Sequence, residues 1–172
     1  MKPEFKLAVV QIRTETDQIQ TMHKAKRMIA QAASNGAELV VLPEMWNCPY
    51  SKKYFHAVAD NDKGESRDAM SRWAQENGII LVGGSVPEKF GDKLYNTCYV
   101  FDETGREIAR HRKIHLFDVD IKGGVRFKES HSFAPGEDIT VFDTRFGRMG
   151  VEICFDIRFP ELTRAMAKRG AE

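Results

Sequence analysis

The chain has 172 residues, of which 42% are hydrophobic and 30% charged, and its formal net charge at pH 7 is +1. This is the composition of an ordinary globular protein of one domain. No apolar stretch is long enough to cross a bilayer, and the near-neutral charge argues against the basic surface that nucleic-acid binding requires. Three cysteines, an odd number, argue against a disulfide framework and predict a reducing, cytoplasmic location.

Hydrophobic periodicity predicts alternating strands and helices in the first half of the chain. A strand over residues 6–12 precedes a helix from about Asp17 to Ser34. The expected apolar face of this helix consists of Ile19, Met22, the stem of Lys26, Ile29 and Ala33. A strand around Val40, a helix over about 66–76 and strands over 79–84 and 94–101 follow.

The second half is predicted to contain hairpins and one long loop. Residues 102–105 form a turn into a strand over 106–112. The loop over about 118–138 is long enough to indicate a functional segment. Residues 139–143 and 147–153 form a further hairpin, and Pro160 suits the first turn of the last helix. This alternation predicts an α/β fold.

The first candidate for chemistry is Glu44, which follows an apolar run over residues 37–42. The run has the pattern of a strand buried on both faces, and Pro43 ends it because proline has no N–H to donate. A carboxylate left just beyond a buried strand suits a general base. The alternative is a solvated loop glutamate.

The second candidate is Lys113, in a stretch over residues 109–117 that is unusually rich in cations. A basic surface patch is the ordinary explanation of such a stretch. The alternative is that Lys113 points into an active site, where it stabilises an oxyanion and a nearby thiolate.

The third candidate is Cys154, which lies between a strand-like run over 149–153 and the helix that begins near Pro160. A cysteine at a strand-to-helix junction lies at the carboxyl edge of a sheet, where α/β folds place ligands and chemistry. The positive end of a helix dipole there is expected to lower the thiol pKa. The alternative is a small buried cysteine that closes a strand.

Together these three segments resemble the nitrilase superfamily of carbon–nitrogen hydrolases. The motifs are Leu-Pro-Glu ending at Glu44, Arg-Lys-Ile-His-Leu-Phe around Lys113, and Ile-Cys-Phe-Asp-Ile-Arg-Phe-Pro-Glu around Cys154. The words Cys-Phe-Asp and Lys-Leu-Tyr-Asn-Thr-Cys (residues 93–98) are most similar to the ω-amidases of the Nit branch. The resemblance implies a four-layer α-β-β-α sandwich and a Glu-Lys-Cys triad. It also implies that residues 1–172 are the N-terminal portion of the domain, with the fold truncated after the helix that follows the cysteine.

By this resemblance the protein is a thiol-dependent amidase, and its substrates are small amides such as 2-oxoglutaramate and 2-oxosuccinamate. Glu44 is then the base, Cys154 the nucleophile, and Lys113 the oxyanion donor together with the backbone N–H of Phe155. Glu129 matches a second glutamate of the family that positions substrate or water. Members of the family are usually homodimers or larger, so we expect the same here. The cysteines lack the paired spacing of a zinc site, and we expect no metal and no cofactor.

The substrate carboxylate requires a partner, and Arg158 and Tyr50 are the candidates. The alternative for Arg158 is an ion pair with Asp156 or Glu161. Glu152 departs from the small residue that relatives commonly have two positions before the nucleophile. Strand alternation places it on the side of Cys154, where it opposes thiolate formation.

Two other functions remain open at this point. The chain can be another carbon–nitrogen hydrolase, such as a deaminated-glutathione amidase or an N-carbamoyl hydrolase. It can also be a non-catalytic half-domain that serves assembly or binding.

Overall fold

The computed structural model describes residues 4–60, 64–124 and 126–172. The strands are β1 (Leu7–Val9), β2 (Leu39–Val41), β3 (Ile80–Val82), β4 (Val86–Phe90), β5 (Lys93–Phe101), β6 (Glu107–Arg112), β7 (Asp118–Asp120), β8 (Arg126–Lys128), β9 (Val141–Thr144) and β10 (Gly147–Gly150). The helices are α1 (Gln18–Ser34), α2 (Lys52–Val58), α3 (Glu65–Asn77) and α4 (Pro160–Lys168), and short 3-10 helices span Glu129–His131 and Cys154–Arg158.

Six strands form the main sheet, in the order β1-β2-β3-β5-β4, with β6 paired to the remaining part of β5. The first three strands are parallel, and β5 runs antiparallel to each of its neighbours. β9 pairs with β10, and β7 pairs with β8, in two separate antiparallel hairpins.

The layers follow the order expected from the sequence. Helices α1 and α3 cover one face of the main sheet, where Ile29 and Trp73 pack against Val40 and Leu81. The opposite face packs against the β9–β10 hairpin. Gly150 faces away from that contact, and α4 lies over it with Met166 in the space that a Cβ at Gly150 would occupy. The α-β-β-α sandwich is thereby confirmed.

Helices α1, α3 and α4 match the predicted ones closely. Asp17 accepts a hydrogen bond of 2.9 Å from the N–H of Ile19 and so caps α1. The predicted apolar face of α1 is wrong in part, because Ile19 is 64% exposed. The buried residues are Thr21, Ala25 and Ile29, which are four residues apart and form one stripe on nearly the opposite side from Ile19.

Two elements were not predicted, and the 118–138 loop is more ordered than expected. Helix α2 has only seven residues, too few for a clear periodic signal. Strand β4 contains Pro87, which argues against a central strand, and β4 lies at the edge of the sheet, where proline is tolerated. The loop holds β7, β8 and the first 3-10 helix, although Val125 lies outside the described residues.

Two strands are shorter than predicted. β1 covers only Leu7–Val9, and β10 ends at Gly150, three residues before Ile153. The N–H of Ile153 donates to the carboxylate of Asp156 instead of to a strand, at 3.1 Å. Among the described residues, no helix has both the length and the apolar character that spanning a membrane requires.

Candidate active site

Glu44 lies in a turn three residues beyond β2, and the segment between β3 and β4 holds this turn in place. The N–H of Met45 donates to the hydroxyl of Ser85 at 3.0 Å, and the indole N–H of Trp46 donates to the carbonyl of Gly83 at 2.9 Å. Trp46 is fully buried. The orientation of Glu44 is therefore fixed by buried contacts on its C-terminal side.

Gly84 permits the close approach of these two segments. A Cβ at Gly84 would lie 2.1 Å from the carbonyl oxygen of Pro43, and the residue has a left-handed φ of +60°. Met45 and Cys154 also have left-handed backbones, with φ of 47° and 49°. Such conformations in non-glycine residues cluster at functional sites, and here they occur beside the candidate base and at the candidate nucleophile.

Lys113 follows β6 directly, and its buried ammonium lies between two carboxylates. Nζ is 2.8 Å from Oε1 of Glu44 and 2.9 Å from Oε2 of Glu129. Burial alone would lower the pKa of Lys113, but the two carboxylates hold this pKa above its ordinary value. The lysine is therefore a permanent cation, and the basic-patch alternative is wrong for this residue.

Glu129 is buried in the 3-10 helix that ends the β7–β8 hairpin. Its Oε2 also accepts the N–H of Phe117 at 2.7 Å, and its Oε1 accepts the side-chain amide of Asn96 at 3.0 Å. The same amide donates to Oε1 of Glu44 at 2.8 Å. Asn96 was missed in the sequence, although a polar side chain within a strand as apolar as β5 signals a buried hydrogen-bonding role.

Cys154 begins the 3-10 helix Cys154–Arg158, and its thiol is hydrogen-bonded to Glu44. The residue is exposed, but the atoms around the sulfur bury it in part. This burial and the Glu44 carboxylate raise the thiol pKa to about 11, against the opposing effect of Lys113. The expected lowering by a helix dipole is wrong, because α4 begins only at Pro160.

Tyr50, a predicted substrate-binding residue, reaches this cluster. Its ring packs against Phe55 and Phe127, with centroid distances of 5.2 and 5.6 Å. Its hydroxyl is hydrogen-bonded to Glu129, and burial together with the nearby carboxylates raises its pKa. The hydroxyl is therefore a neutral hydrogen-bonding group at the site.

Phe155 is half-buried, with its ring 5.1 Å from that of Phe117. Its N–H lies in the first turn of a 3-10 helix, where amide groups have no partner within the helix. Arg158 is exposed, and no ion pair within the described ranges joins it to Asp156 or Glu161. The substrate-binding roles of Arg158 and Phe155 stay predictions.

Glu152 is half-buried and lines the same cavity as Cys154, as strand alternation predicts. Its Oε1 accepts a hydrogen bond of 2.7 Å from the hydroxyl of Thr163 on α4. This bond directs the carboxylate toward α4.

The cavity beside Glu44 and Cys154 has a volume of about 350 Å³. Most of its lining is apolar, with Val41, Leu42 and Val82 as examples. An apolar wall strengthens the electrostatic interactions of the few charged groups that face it. No group of three or more histidine, cysteine or acidic side chains in the described part of the chain is arranged to hold a metal ion.

Comparisons with known proteins agree with this geometry. Residues 6–172 match the family model described as carbon–nitrogen hydrolase. The protein named Omega-amidase NIT2 from Xenopus tropicalis is 44% identical over 169 residues, which cover 98% of this chain and 61% of that protein. The human protein of the same name is 44% identical over 168 residues, with the same two coverages.

Solved structures give the same result. The crystal structure of Saccharomyces cerevisiae Nit3, described as a member of branch 10 of the nitrilase superfamily, superposes with a TM-score of 0.82 at 38% identity. The match covers 95% of this chain and 60% of Nit3. The present chain thus spans about three fifths of the relatives that it matches. It belongs to the carbon–nitrogen hydrolase family, within the nitrilase superfamily.

Proposed function

We propose that this chain carries the catalytic residues of a thiol-dependent amidase. The proposed substrates are monoamides of 2-oxo-dicarboxylic acids, such as 2-oxoglutaramate and 2-oxosuccinamate, and the products are the acid and ammonia. The observation that carries the proposal is the Glu44 carboxylate, which contacts both the Lys113 ammonium and the Cys154 thiol. The name shared by the relatives supports this substrate class.

In the first half-reaction, Glu44 takes the proton of Cys154 as the sulfur attacks the amide carbon. A thiol with a pKa of about 11 is almost wholly protonated at pH 7, so a base in contact with it is required. Lys113 and the N–H of Phe155 then bind the oxyanion of the tetrahedral intermediate. One such donor typically contributes about 3–4 kcal/mol to lowering the barrier.

The intermediate collapses when the C–N bond breaks and Glu44 returns its proton to the departing ammonia. A thioester on Cys154 remains. Glu44 next takes a proton from water, whose oxygen attacks the thioester carbon. The C–S bond then breaks, the acid leaves, and the sulfur recovers its proton from Glu44. Glu129 holds Lys113 throughout and, with the Tyr50 hydroxyl, orients the substrate or the water.

The test is ammonia release from 2-oxoglutaramate, measured beside glutamine, a simple nitrile and an N-carbamoyl amine. Fast release from the oxo-acid amide alone supports the proposal. Release only from the N-carbamoyl amine would assign the site to another carbon–nitrogen hydrolase. If no compound reacts, the amidase proposal fails for this chain, and a non-catalytic half-domain becomes the better description.

Two cysteine variants make the assay specific. Cys154→Ala should abolish turnover while the fold is kept. Cys48→Ala is the matched control, because Cys48 is buried in a cluster with Met45 and Phe55, and it should keep its activity. Substantial activity in Cys154→Ala would contradict the covalent mechanism. Light scattering on the same samples tests the expected homodimer or larger oligomer.

A further inference from the structure

Two histidines flank the candidate lysine on either side, and both contact one carboxylate. His111 lies two residues before Lys113, and its Nε2 is 3.2 Å from Oδ2 of Asp156. His115 lies two residues after Lys113, and both its backbone N–H and its Nδ1 are 2.8 Å from Oδ1 of Asp156. The carboxylate therefore holds both ends of the lysine segment.

The same carboxylate also closes the turn that presents the cysteine. Oδ2 of Asp156 accepts the N–H of Ile153 at 3.1 Å, and the N–H of Asp156 donates to the carbonyl of Ile153 at 3.1 Å. Cys154 lies between these two residues. Asp156 is fully buried, and a carboxylate has about four acceptor positions, so these contacts use its capacity.

We propose that Asp156 is a positioning residue that fixes Cys154 relative to Lys113 and Glu44, acting through His111, His115 and the backbone of Ile153. Asp156 touches neither the substrate nor the reacting atoms. Its effect on turnover rests on the amidase function proposed above, whereas its effect on the position of the sulfur does not.

The backbone of Cys154 supports this inference. A left-handed φ of 49° at a non-glycine residue persists only where the surrounding structure holds it. The two hydrogen bonds between Ile153 and Asp156 close the chain around this residue. His115 adds to the restraint, since its ring stacks on that of Phe159 at a centroid distance of 3.6 Å and an interplanar angle of 8°.

The experiment measures alkylation of Cys154 by iodoacetamide as a function of pH, in the full chain and in Asp156→Asn. The thiol is faced by Glu44, Lys113, Glu129 and Tyr50, and in the parent its apparent pKa should lie near 11. An asparagine amide cannot accept the N–H groups that its nitrogen would face. The turn should then release the sulfur from Glu44, and the apparent pKa should fall toward the ordinary value of 9.0.

This fall should make the variant react faster at moderate pH. At pH 8.5 the thiolate fraction rises steeply when the pKa drops by two units, but a less basic thiolate is intrinsically less nucleophilic. The two effects together predict alkylation about tenfold faster than in the parent. Cys154→Ala, labelled in parallel, gives the contribution of the other two cysteines, which are both buried.

The matched control is Asp60→Asn. Asp60 is also a buried carboxylate that accepts backbone N–H groups, those of Ser66 and Arg67 at the start of α3. This variant should lose stability and keep the parent's labelling profile. If Asp156→Asn also loses stability and keeps that profile, Asp156 has only a structural role and the inference is wrong.

Two further variants keep the test decisive. His115→Phe retains the stack on Phe159 and removes the Nδ1 contact at a partly exposed position, so it tests the inference even if Asp156→Asn does not fold. It should lower the apparent pKa in the same direction. In a Glu44→Gln background, Asp156→Asn should produce little further change, because the contact that it disrupts is already absent. Fully additive shifts would contradict the inference.

Discussion

The side-chain amide of Asn96 donates to the same Oε1 atom of Glu44 that Lys113 contacts, at 2.8 Å in each case. The amide also donates to Glu129 at 3.0 Å, so Asn96 and Lys113 bridge the two carboxylates in parallel. Both carboxylates are thus held by one neutral and one cationic donor. The position of Glu44 next to the thiol depends on both donors.

Asn96→Leu tests the neutral bridge with little change of side-chain volume. A hydrogen bond to a charged group is worth about 1.5–3 kcal/mol, so we expect kcat to fall roughly 10- to 100-fold with a smaller change in KM. Thr97→Val is the control, because its hydroxyl donates to the buried carboxylate of Glu88 on the opposite face of β5. That variant should lose stability and keep kcat. Equal kcat losses in both variants would argue against a specific role for Asn96.

Lys113→Met should be strongly destabilising. It leaves two carboxylates facing each other without their shared cation, and removal of one partner of a buried ion pair typically costs about 3–5 kcal/mol. The double variant Lys113→Met/Glu129→Gln should recover part of this loss in urea unfolding, and both variants should lack activity. A double variant less stable than Lys113→Met would show that the electrostatic explanation is wrong.

Gly84→Ala should displace the turn that carries Glu44. The new Cβ would lie 2.1 Å from the carbonyl of Pro43, in addition to the strain of a left-handed alanine. Gly91→Ala is matched in backbone, with φ of +59°, but nothing lies within 4 Å of its Cβ. The control should cost about 1–2 kcal/mol, and Gly84→Ala should add an overpacking cost of about 1–3 kcal/mol or more. Urea unfolding of both variants measures this difference, and equal costs would contradict the close contact.

Asp156 and Asp60 should respond to acid in opposite ways. Hydrogen bonds from His111, His115 and the Ile153 N–H outweigh burial and hold the pKa of Asp156 below its ordinary value of 3.8. Its contribution to stability is therefore present above pH 3.8 and is lost as the pH falls through the lower, folded-state pKa. Replacing Asp156 should make the unfolding midpoint less sensitive to acid below that pH.

The sign is reversed for Asp60. Burial raises the pKa of this carboxyl, so the folded state binds its proton more readily than the unfolded state. Its contribution should become more favourable as the pH falls toward 3.8 and through it. The difference in urea midpoint between the parent and each asparagine variant, measured from pH 3 to pH 7, should therefore slope in opposite directions. Slopes of the same sign would refute the assignment for one of the two residues.

The sequence was sufficient for the sandwich and for the candidates that follow strands or lie in motifs. Glu44, Lys113 and Cys154 are each marked by a local pattern, and the fold brings them together with Glu129. The contacts of Asn96 with Glu44 and of His115 with Asp156 join residues 52 and 41 positions apart. No local periodicity encodes such pairs, so these supporting residues emerged only from the folded chain. The thiol pKa was wrong for the same reason, because it depends on a carboxylate 110 residues away in the sequence.

The ammonium of Lys113 carries three hydrogens, and two of them point to Glu44 and Glu129. At most one hydrogen is left for a substrate oxygen. A tetrahedral oxyanion bound here consequently receives a single bond from the lysine and must obtain its second donor from a different part of the chain. Recognition of the oxyanion is thus divided between the end of β6 and the backbone after Cys154, and neither segment can complete it alone.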